Sequence, residues 1–232
     1  MDVRPIPGLE QLPFAEVWLH AVDETTWREA SRAAAALGKT GLEVWTTTRT
    51  PDVAAFFETR GYEEHRRYVI SHLDVQSAAD PGEPRVPLVT LAERPDLADE
   101  LYALACVAHA DQPGRAGTQL DESWYEWGLR APQPDAYFIA LDGERVAGYG
   151  YLEQEDGVWR HGFTAVARWA RGRGIAGAIK RAQIRWAKAN GVVRLETANE
   201  LRVVTMLELS RRFGYSRDYD EIVLRGLRYS EP

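Results

Sequence analysis

Apolar positions along this chain follow two periods, and the switches between them mark out its elements. Between Pro95 and Ala108, Leu97, Leu101, Leu104 and Cys106 recur near one face at helical spacing, which predicts a helix. Ile175, Ile179, Ala182 and Trp186 form a second apolar stripe, on a helix that runs to Lys188 and stops at Asn190-Gly191. Short β-branched or aromatic runs predict strands at Val86–Leu91, Tyr137–Leu141, Arg145–Leu152, Val158–Val166, Val192–Thr197 and Glu221–Leu227. Asp142-Gly143 and Asp156-Gly157 are hairpin-turn signals between the middle strands. A short helix is expected around Trp124, Tyr125 and Trp127, and another over Thr205–Phe213 before a turn at Gly214-Tyr215. The order β-α-α-β-β-β-α-β-α-β is an antiparallel meander joined to a parallel β-α-β crossover. It predicts an α/β (α+β) fold, a mixed antiparallel and parallel sheet flanked by helices.

The earlier part of the chain repeats the end of this order. Trp27–Leu37 is an alanine-rich helix, Leu42–Thr46 a strand, Val53–Thr59 a helix and Tyr68–Leu73 a strand. Both copies place a short helix before Gly-Tyr, at Gly61-Tyr62 and at Gly214-Tyr215, with a strand after it. This order suggests a degenerate internal repeat. Gln76–Pro84 is polar, proline-punctuated and aperiodic. The expected organisation is a truncated module over residues 1–75, a linker over 76–85 and a second module over 86–232.

Charge changes the picture. The 232-residue chain has a formal net charge of −7, yet no Asp or Glu occurs from Gly157 to Leu195, where Arg160, Arg168, Arg171, Arg173, Lys180, Arg181, Arg185, Lys188 and Arg194 fall. A basic island in an acidic protein points to one anionic ligand at one site, not to a nucleic-acid partner with a broad footprint. The apolar runs are too short to span a bilayer, so no membrane partner is expected. Cys106 is the lone cysteine and Met1-Asp2-Val3-Arg4-Pro5 does not begin a signal peptide, which points to the cytoplasm. His20, His65, His72, His109 and His161 show no paired ligand spacing, so no metal is expected.

The centre of the island is a glycine-rich turn, Arg171-Gly172-Arg173-Gly174-Ile175-Ala176, that runs straight into the basic helix. Such a turn brings bare amides and a helix N-terminus to an anion. Gly172-x-Gly174-x-x-Gly177 is also a literal dinucleotide fingerprint, with Glu196 near the place of a ribose-binding acid. Three features oppose that alternative. Arg168–Arg171 is a spacer where a tight turn belongs, the element follows a meander instead of opening the domain, and too little chain remains for further β-α-β units. A solvated basic helix after an ordinary turn is the remaining structural reading.

The turn resembles the pyrophosphate loop of the GNAT acyl-coenzyme A transferases, Gln/Arg-x-x-Gly-x-Gly/Ala. The order of elements from Val86 to Leu227 is similar to that family, as is Glu196-Thr197-Ala198-Asn199 … Met206 … Phe213-Gly214-Tyr215. With the decayed first part, the chain resembles tandem GNAT proteins. The resemblance implies acetyl-coenzyme A as cosubstrate. Ala165 and Val166 would meet its pantetheine arm, and Arg171, Gly172, Arg173, Gly174, Ile175 and Ala176 would cradle its pyrophosphate, with Asn199 nearby. It also implies N-acetyl transfer by direct attack in a ternary complex. Glu196 is the first candidate base, followed by Tyr149, Tyr151, Glu153 and His161. Ser210 occupies the place of the usual thiol-side Tyr or Asn, where it would hydrogen-bond the sulfur or the amide of the arm, and Val203 replaces a second Asn; both depart from the family pattern for a thiol-side acid. Each residue also has a structural reading: Tyr149 and Tyr151 as core, Glu153 as a solvated strand end, His161 as a surface strand residue, Ser210 as a small polar group on an exposed helix face. Asp111, Asp121, Glu122, Trp124, Tyr125 and Trp127 fall in the segment that floors the acceptor groove in this family. Acids among aromatics suit a cationic or aromatic amine, so a small-molecule amine is expected, with a protein N-terminus or lysine as the open alternative. The first module is expected to complete the core, shape that groove or form a homodimer. The alternatives are a non-catalytic acyl-coenzyme A-binding sensor and an NAD(P)-binding enzyme.

Overall fold

Apolar alternation becomes strand, and apolar stripes become helix, close to the positions the pattern predicts. The computed structural model describes residues 1–113, 115, 120–130, 133–155 and 157–229. Asp156 of the expected Asp156-Gly157 turn and the Trp127 side chain lie outside the described residues. In chain order the elements are β1 (Val3–Pro5), β2 (Phe14–Trp18), α1 (Glu24–Ala36), β3 (Gly41–Thr47), α2 (Pro51–Glu58), β4 (Glu63–Asp74), β5 (Leu88–Thr90), α3 (Ala98–Ala110), β6 (Tyr137–Asp142), β7 (Arg145–Glu155), β8 (Val158–Val166), α4 (Ile175–Ala189), β9 (Arg194–Glu200), α5 (Val204–Arg212) and β10 (Ser216–Leu227). The short helix expected near Trp124 is a π-helical stretch, Tyr125–Arg130. β1 carried no sequence signal, being three residues long and ending in proline.

The chain folds as two compact units, one of Met1–Ile70, Asn199–Val204 and the chain from Arg217, the other of Ser71–Ala198 and Thr205–Ser216. This differs from a division at residues 76–85. β10 joins the first unit because it pairs antiparallel with β3, from Glu221↔Thr47 to Leu227↔Gly41. Residues 76–85 belong to the second unit, where α4 holds them: Arg181 Nε donates to Pro81 O at 3.0 Å, Lys188 Nζ to Ala78 O at 3.2 Å, and Arg185 pairs with Glu83 at 2.7 Å.

In the first unit β1 pairs antiparallel with β2, β2 pairs parallel with β3, and β10 neighbours β4. Ala15, Val17, Leu42, Val44, Ile222 and Leu224 cluster with Ala30, Ala34, Val53 and Phe57 of α1 and α2. The intervening residues point the other way. There the rings of Trp18, Trp45 and Tyr68 stack at 4.9 and 5.5 Å, and buried Glu43 pairs with Arg66 at 2.8 Å and Arg225 at 2.6 Å. Asp23 caps α1, accepting from the Thr26 amide at 2.7 Å.

In the second unit the strands run β9-β8-β7-β6-β5, antiparallel except for the parallel pair β8–β9. Leu101, Leu104 and Ala105 of α3 and Ile175, Ile179 and Ala182 of α4 share a core with Tyr137, Ile139, Tyr149 and Ala165. Two alternate glycines of β7 admit α4. A Cβ on Gly148 would lie 2.8 Å from Ile175 Cγ2, and one on Gly150 would lie 2.9 Å from Ile179 Cγ2. This close approach brings the start of α4 against the end of β8.

Candidate functional site

The parallel pairing of β8 with β9 covers Trp159↔Leu195, Arg160↔Glu196 and His161↔Thr197. Beyond His161, β8 continues to Val166 paired only with β7, through Gly150↔Thr164, Tyr149↔Ala165 and Gly148↔Val166. The two parallel strands therefore part after the His161–Thr197 rung. Between Leu152↔His161 and Gly150↔Thr164, β8 uses one residue more than β7, a bulge at Gly162–Phe163. The Tyr151 ring lies on Gly162, where a Cβ would come within 1.9 Å of it.

After β8 a single 3-10 turn, Arg168–Ala170, leads to Gly172 and Gly174, with φ of +77° and +81°. A Cβ on either would meet nothing within 4 Å among the described residues, so left-handed backbone, not crowding, selects glycine. Gly174 is the N-cap of α4, and among the described residues no side chain caps this end. The first intrahelical bond runs from Ala178 N to Gly174 O, so the amides just before it have no helical acceptor. These amides and the helix dipole favour an anion. α1 differs, since the Asp23 carboxylate occupies its N-terminus.

The cations of the turn are paired. Arg171 Nη2 lies 2.5 Å from Asp111 Oδ2, Arg168 binds the same carboxylate, and Arg173 meets Asp142 at 2.9 Å. Arg171 Nε also donates to Val166 O at 3.2 Å. Hydrogen bonds from Arg168 and Arg171 hold the Asp111 carboxyl down at about 2. Asp111, expected with the acceptor residues, is thus turned to the glycine turn.

Register sorts the candidate bases. Glu153, Arg160 and Glu196 stand in one row across β7, β8 and β9. Leu152, His161 and Thr197 form the next row and face the opposite way. Glu196 has both oxygens engaged, Oε1 by Arg194 at 3.0 Å and Oε2 by Arg160 at 3.4 Å. Glu153 forms no ion pair within 4.0 Å among the described residues, and burial, followed by the charge of Glu155, pushes its carboxyl up. Tyr149 is fully buried beside Tyr137 and Trp124, its hydroxyl has no hydrogen-bond partner among the described residues, and burial pushes its phenol well up. Burial also raises Tyr151.

Ser210 is 3 % exposed, so it does not lie on an exposed helix face. Its carbonyl accepts from the Tyr215 amide at 3.2 Å. Ala165 is buried and Val166 half-buried. Asn199 is buried and belongs to the first unit. Rings of Tyr102, Trp124, Tyr125, Tyr137 and Tyr149 form a continuous cluster with centroids 5.0 to 6.4 Å apart.

One constellation has no counterpart among the residues predicted as a group. His161 is a buried residue, not a surface one. Its Nδ1 lies 2.9 Å from Gln183 Oε1 and its Nε2 lies 2.5 Å from the Tyr215 hydroxyl. Lys180, 4 % exposed, holds its Nζ 4.5 Å from the centroid of the Tyr215 ring. Burial, then the Lys180 charge, holds the imidazole well below its ordinary value. The neutral ring donates from Nδ1 to Gln183 and accepts at Nε2 from Tyr215. Burial alone pulls the Lys180 ammonium down to about 7. The available signal was a polar pair, Lys180 and Gln183, beside the apolar stripe of α4.

A cavity of about 590 Å³ lies elsewhere, lined by Asp80, Pro81, Arg181, Ile184 and Phe213 among others. It meets the middle of α4, away from the uncapped end, and holds none of the predicted site residues. Among the described residues no three His, Cys, Asp or Glu side chains are grouped to hold a metal, and no helix is long and apolar enough to cross a membrane.

A mixed sheet whose parallel strands part beside an uncapped, glycine-led helix is the architecture of the acetyltransferase (GNAT) fold. The model of the acetyltransferase (GNAT) family matches residues 99–215, which include the parting strands, the glycine turn, α4 and α5. The chain belongs to that family. A GCN5-related N-acetyltransferase from Sphaerobacter thermophilus has a similar structure, with a TM-score of 0.70 at 20% identity over 99% of this chain and 77% of that one. A tandem GNAT protein from the clavulanic acid biosynthesis pathway gives 0.70 at 18% over 95% and 77%. A GCN5-related N-acetyltransferase from Kribbella flavida gives 0.61 at 15% over 91% and 80%. At these identities the likeness is one of fold. No curated protein sequence matches the chain.

Proposed function

We propose that the second unit is an acetyl-coenzyme A-dependent N-acetyltransferase that acts on a small amine by direct transfer in a ternary complex. The observation that carries this reading is the parting of β8 from β9 next to the uncapped N-terminus of α4. Gly172 and Gly174, both left-handed with open space in place of a Cβ, fit a pyrophosphate cradle formed by the amides of Arg171–Ala176. Arg171 and Arg173 add cations, and the backbone of Ala165 and Val166 would meet the pantetheine arm.

β8 backbone freed from β9 offers amide donors to a thioester carbonyl. The neutral amine attacks that carbonyl carbon, a C–N bond forms, the C–S bond breaks and the thiolate departs. Glu153 is the carboxylate best placed to accept the amine proton, directly or through water, because Glu196 is occupied by two arginines. The aromatic cluster around Trp124 and Tyr125 suits a cationic or aromatic amine.

The first unit runs through β2-α1-β3-α2-β4, the same order as β8-α4-β9-α5-β10. With α1 capped by its own Asp23, we read it as a decayed second module without a coenzyme site, serving the core or a homodimer. The cytoplasm is the proposed compartment. A non-catalytic acyl-coenzyme A sensor is the second reading, favoured by the engagement of both Glu196 oxygens. Release of thiol from acetyl-coenzyme A across a panel of small amines decides between them. Amine-dependent release supports the enzyme, whereas tight binding without release supports the sensor.

A further inference from the structure

We infer that Lys180 is the proton donor to the departing coenzyme A thiolate, acting from the α4 wall where β8 and β9 part. This rests on the acetyl-coenzyme A reading above and supplies a thiol-side acid where Ser210 stands at the place of the family's usual Tyr or Asn.

Position comes first. Lys180 lies five residues into α4, roughly 8 Å along the axis from its uncapped end at about 1.5 Å per residue. Its ammonium rests on the Tyr215 ring, and the Tyr215 hydroxyl is bonded to His161, the last residue of β8 still paired with β9. The charge is therefore held against the rung at which the strands diverge.

Charge is the second argument. Lys180 acts on His161 from β8 and rests on the ring of Tyr215 from the turn after α5, and both are neutral, as is Gln183, which is bonded to the same imidazole. Among the described residues no carboxylate pairs with it, and burial is the one cause of its shift. A buried ammonium without a counter-ion is costly unless an anion arrives. The thiolate is an anion formed during the reaction. Arg181, its neighbour, is directed instead to the Pro81 carbonyl.

The step balances. As the amine nitrogen bonds to the acyl carbon, the C–S electron pair passes to sulfur and Lys180 gives sulfur a proton. The amine proton leaves through the base, and neutral Lys180 is reprotonated from water after the thiol dissociates. An ammonium pulled to about 7 donates downhill to a thiol of ordinary acidity, about 8.5 for cysteine.

The test is the ionisation of bound coenzyme A, followed by thiolate ultraviolet absorbance against pH in the wild type, Lys180→Met and Lys180→Arg. Methionine fills the same apolar slot without charge, and arginine keeps the charge. Because Lys180 itself gives up its proton near 7, the bound thiol of the wild type is expected to ionise a few tenths of a pH unit below that of Lys180→Met, and that of Lys180→Arg, charged throughout, about one pH unit below. Acetyl-coenzyme A affinity is expected to stay within about threefold. The turnover number of Lys180→Met should fall by about thirtyfold or more with KM little changed. Equal thiol ionisation in the wild type and Lys180→Met overturns the role of Lys180 and leaves the coenzyme site standing. Failure of the wild type to bind coenzyme A overturns the reading beneath it.

Discussion

The Tyr215 hydroxyl donates to His161 Nε2 across 2.5 Å, between two residues 54 positions apart in the chain. The other ring nitrogen is bonded to Gln183, so the imidazole is fully satisfied and neutral. Tyr215→Phe keeps the ring but leaves a buried nitrogen without a donor. The expected loss is about 1–3 kcal/mol in urea unfolding. Because His161 is held below its ordinary value of 6.5, its contribution to stability is present above pH 6.5 and is lost as pH falls. An unchanged urea midpoint in the Phe variant at pH 7 would show that this bond adds nothing.

Gly174 holds φ at +81° with no atom near a prospective Cβ. Gly174→Ala is therefore expected to cost about 1–2 kcal/mol through backbone conformation alone. Acetyl-coenzyme A binding should weaken at least about tenfold, because the cradle amides must rotate with the residue. Calorimetric titration of the Ala variant checks both parts. Undiminished affinity would place the anion elsewhere.

Asp111 ties Arg168 and Arg171 together, and under the proposed function it would compete with a phosphate for both. Asp111→Asn removes one negative charge beside the anion site. Affinity for acetyl-coenzyme A is expected to rise by about threefold, more at low ionic strength than at high. Weaker binding in the Asn variant would show that Asp111 positions the arginines more than it neutralises them.

Glu153 and Glu196 share a row but not a situation. Burial raises Glu153, so its favourable contribution is present below its ordinary value of 4.5 and is lost as pH rises through the folded value. Glu153→Gln is thus expected to stabilise the fold by roughly 1–3 °C in Tm at pH 7, with little gain near pH 4. It should lower kcat by about a hundredfold. Glu196→Gln breaks contacts to Arg160 and Arg194 and should destabilise with a smaller effect on turnover. The reverse ranking of the two kcat values would make Glu196 the base.

The glycine turn was legible because its signals are local: two glycines, an acid-free stretch and the helix stripe that follows. Its context was legible for the same reason, as the meander and the crossover are written in alternating strands and Asp-Gly turns. What escaped depends on contacts distant in sequence. Asp111 reaches Arg168 and Arg171 across 57 and 60 residues, so its place among aromatics suggested the acceptor side. Lys180 is one of many cations in a basic helix, and only tertiary packing distinguishes it from Arg181 or Lys188. β10 joins β3 through a pairing without a local signature, which is why the units do not divide at the proline-rich stretch. The need for glycine at 148, 150 and 162 comes from α4 and the Tyr151 ring packed against them, contacts with no local signal in the strand sequence.

The most direct test of the central claim is a thermal-shift titration of the intact protein with acetyl-coenzyme A, coenzyme A and the oxidised and reduced nicotinamide dinucleotides. Saturable stabilisation by both coenzyme A forms is predicted, about 2.7 kcal/mol at a hundredfold excess over Kd, with none from the dinucleotides. The response should vanish in Gly174→Glu, whose side chain places a carboxylate at the anion site. Stabilisation by a dinucleotide and not by coenzyme A would contradict the account.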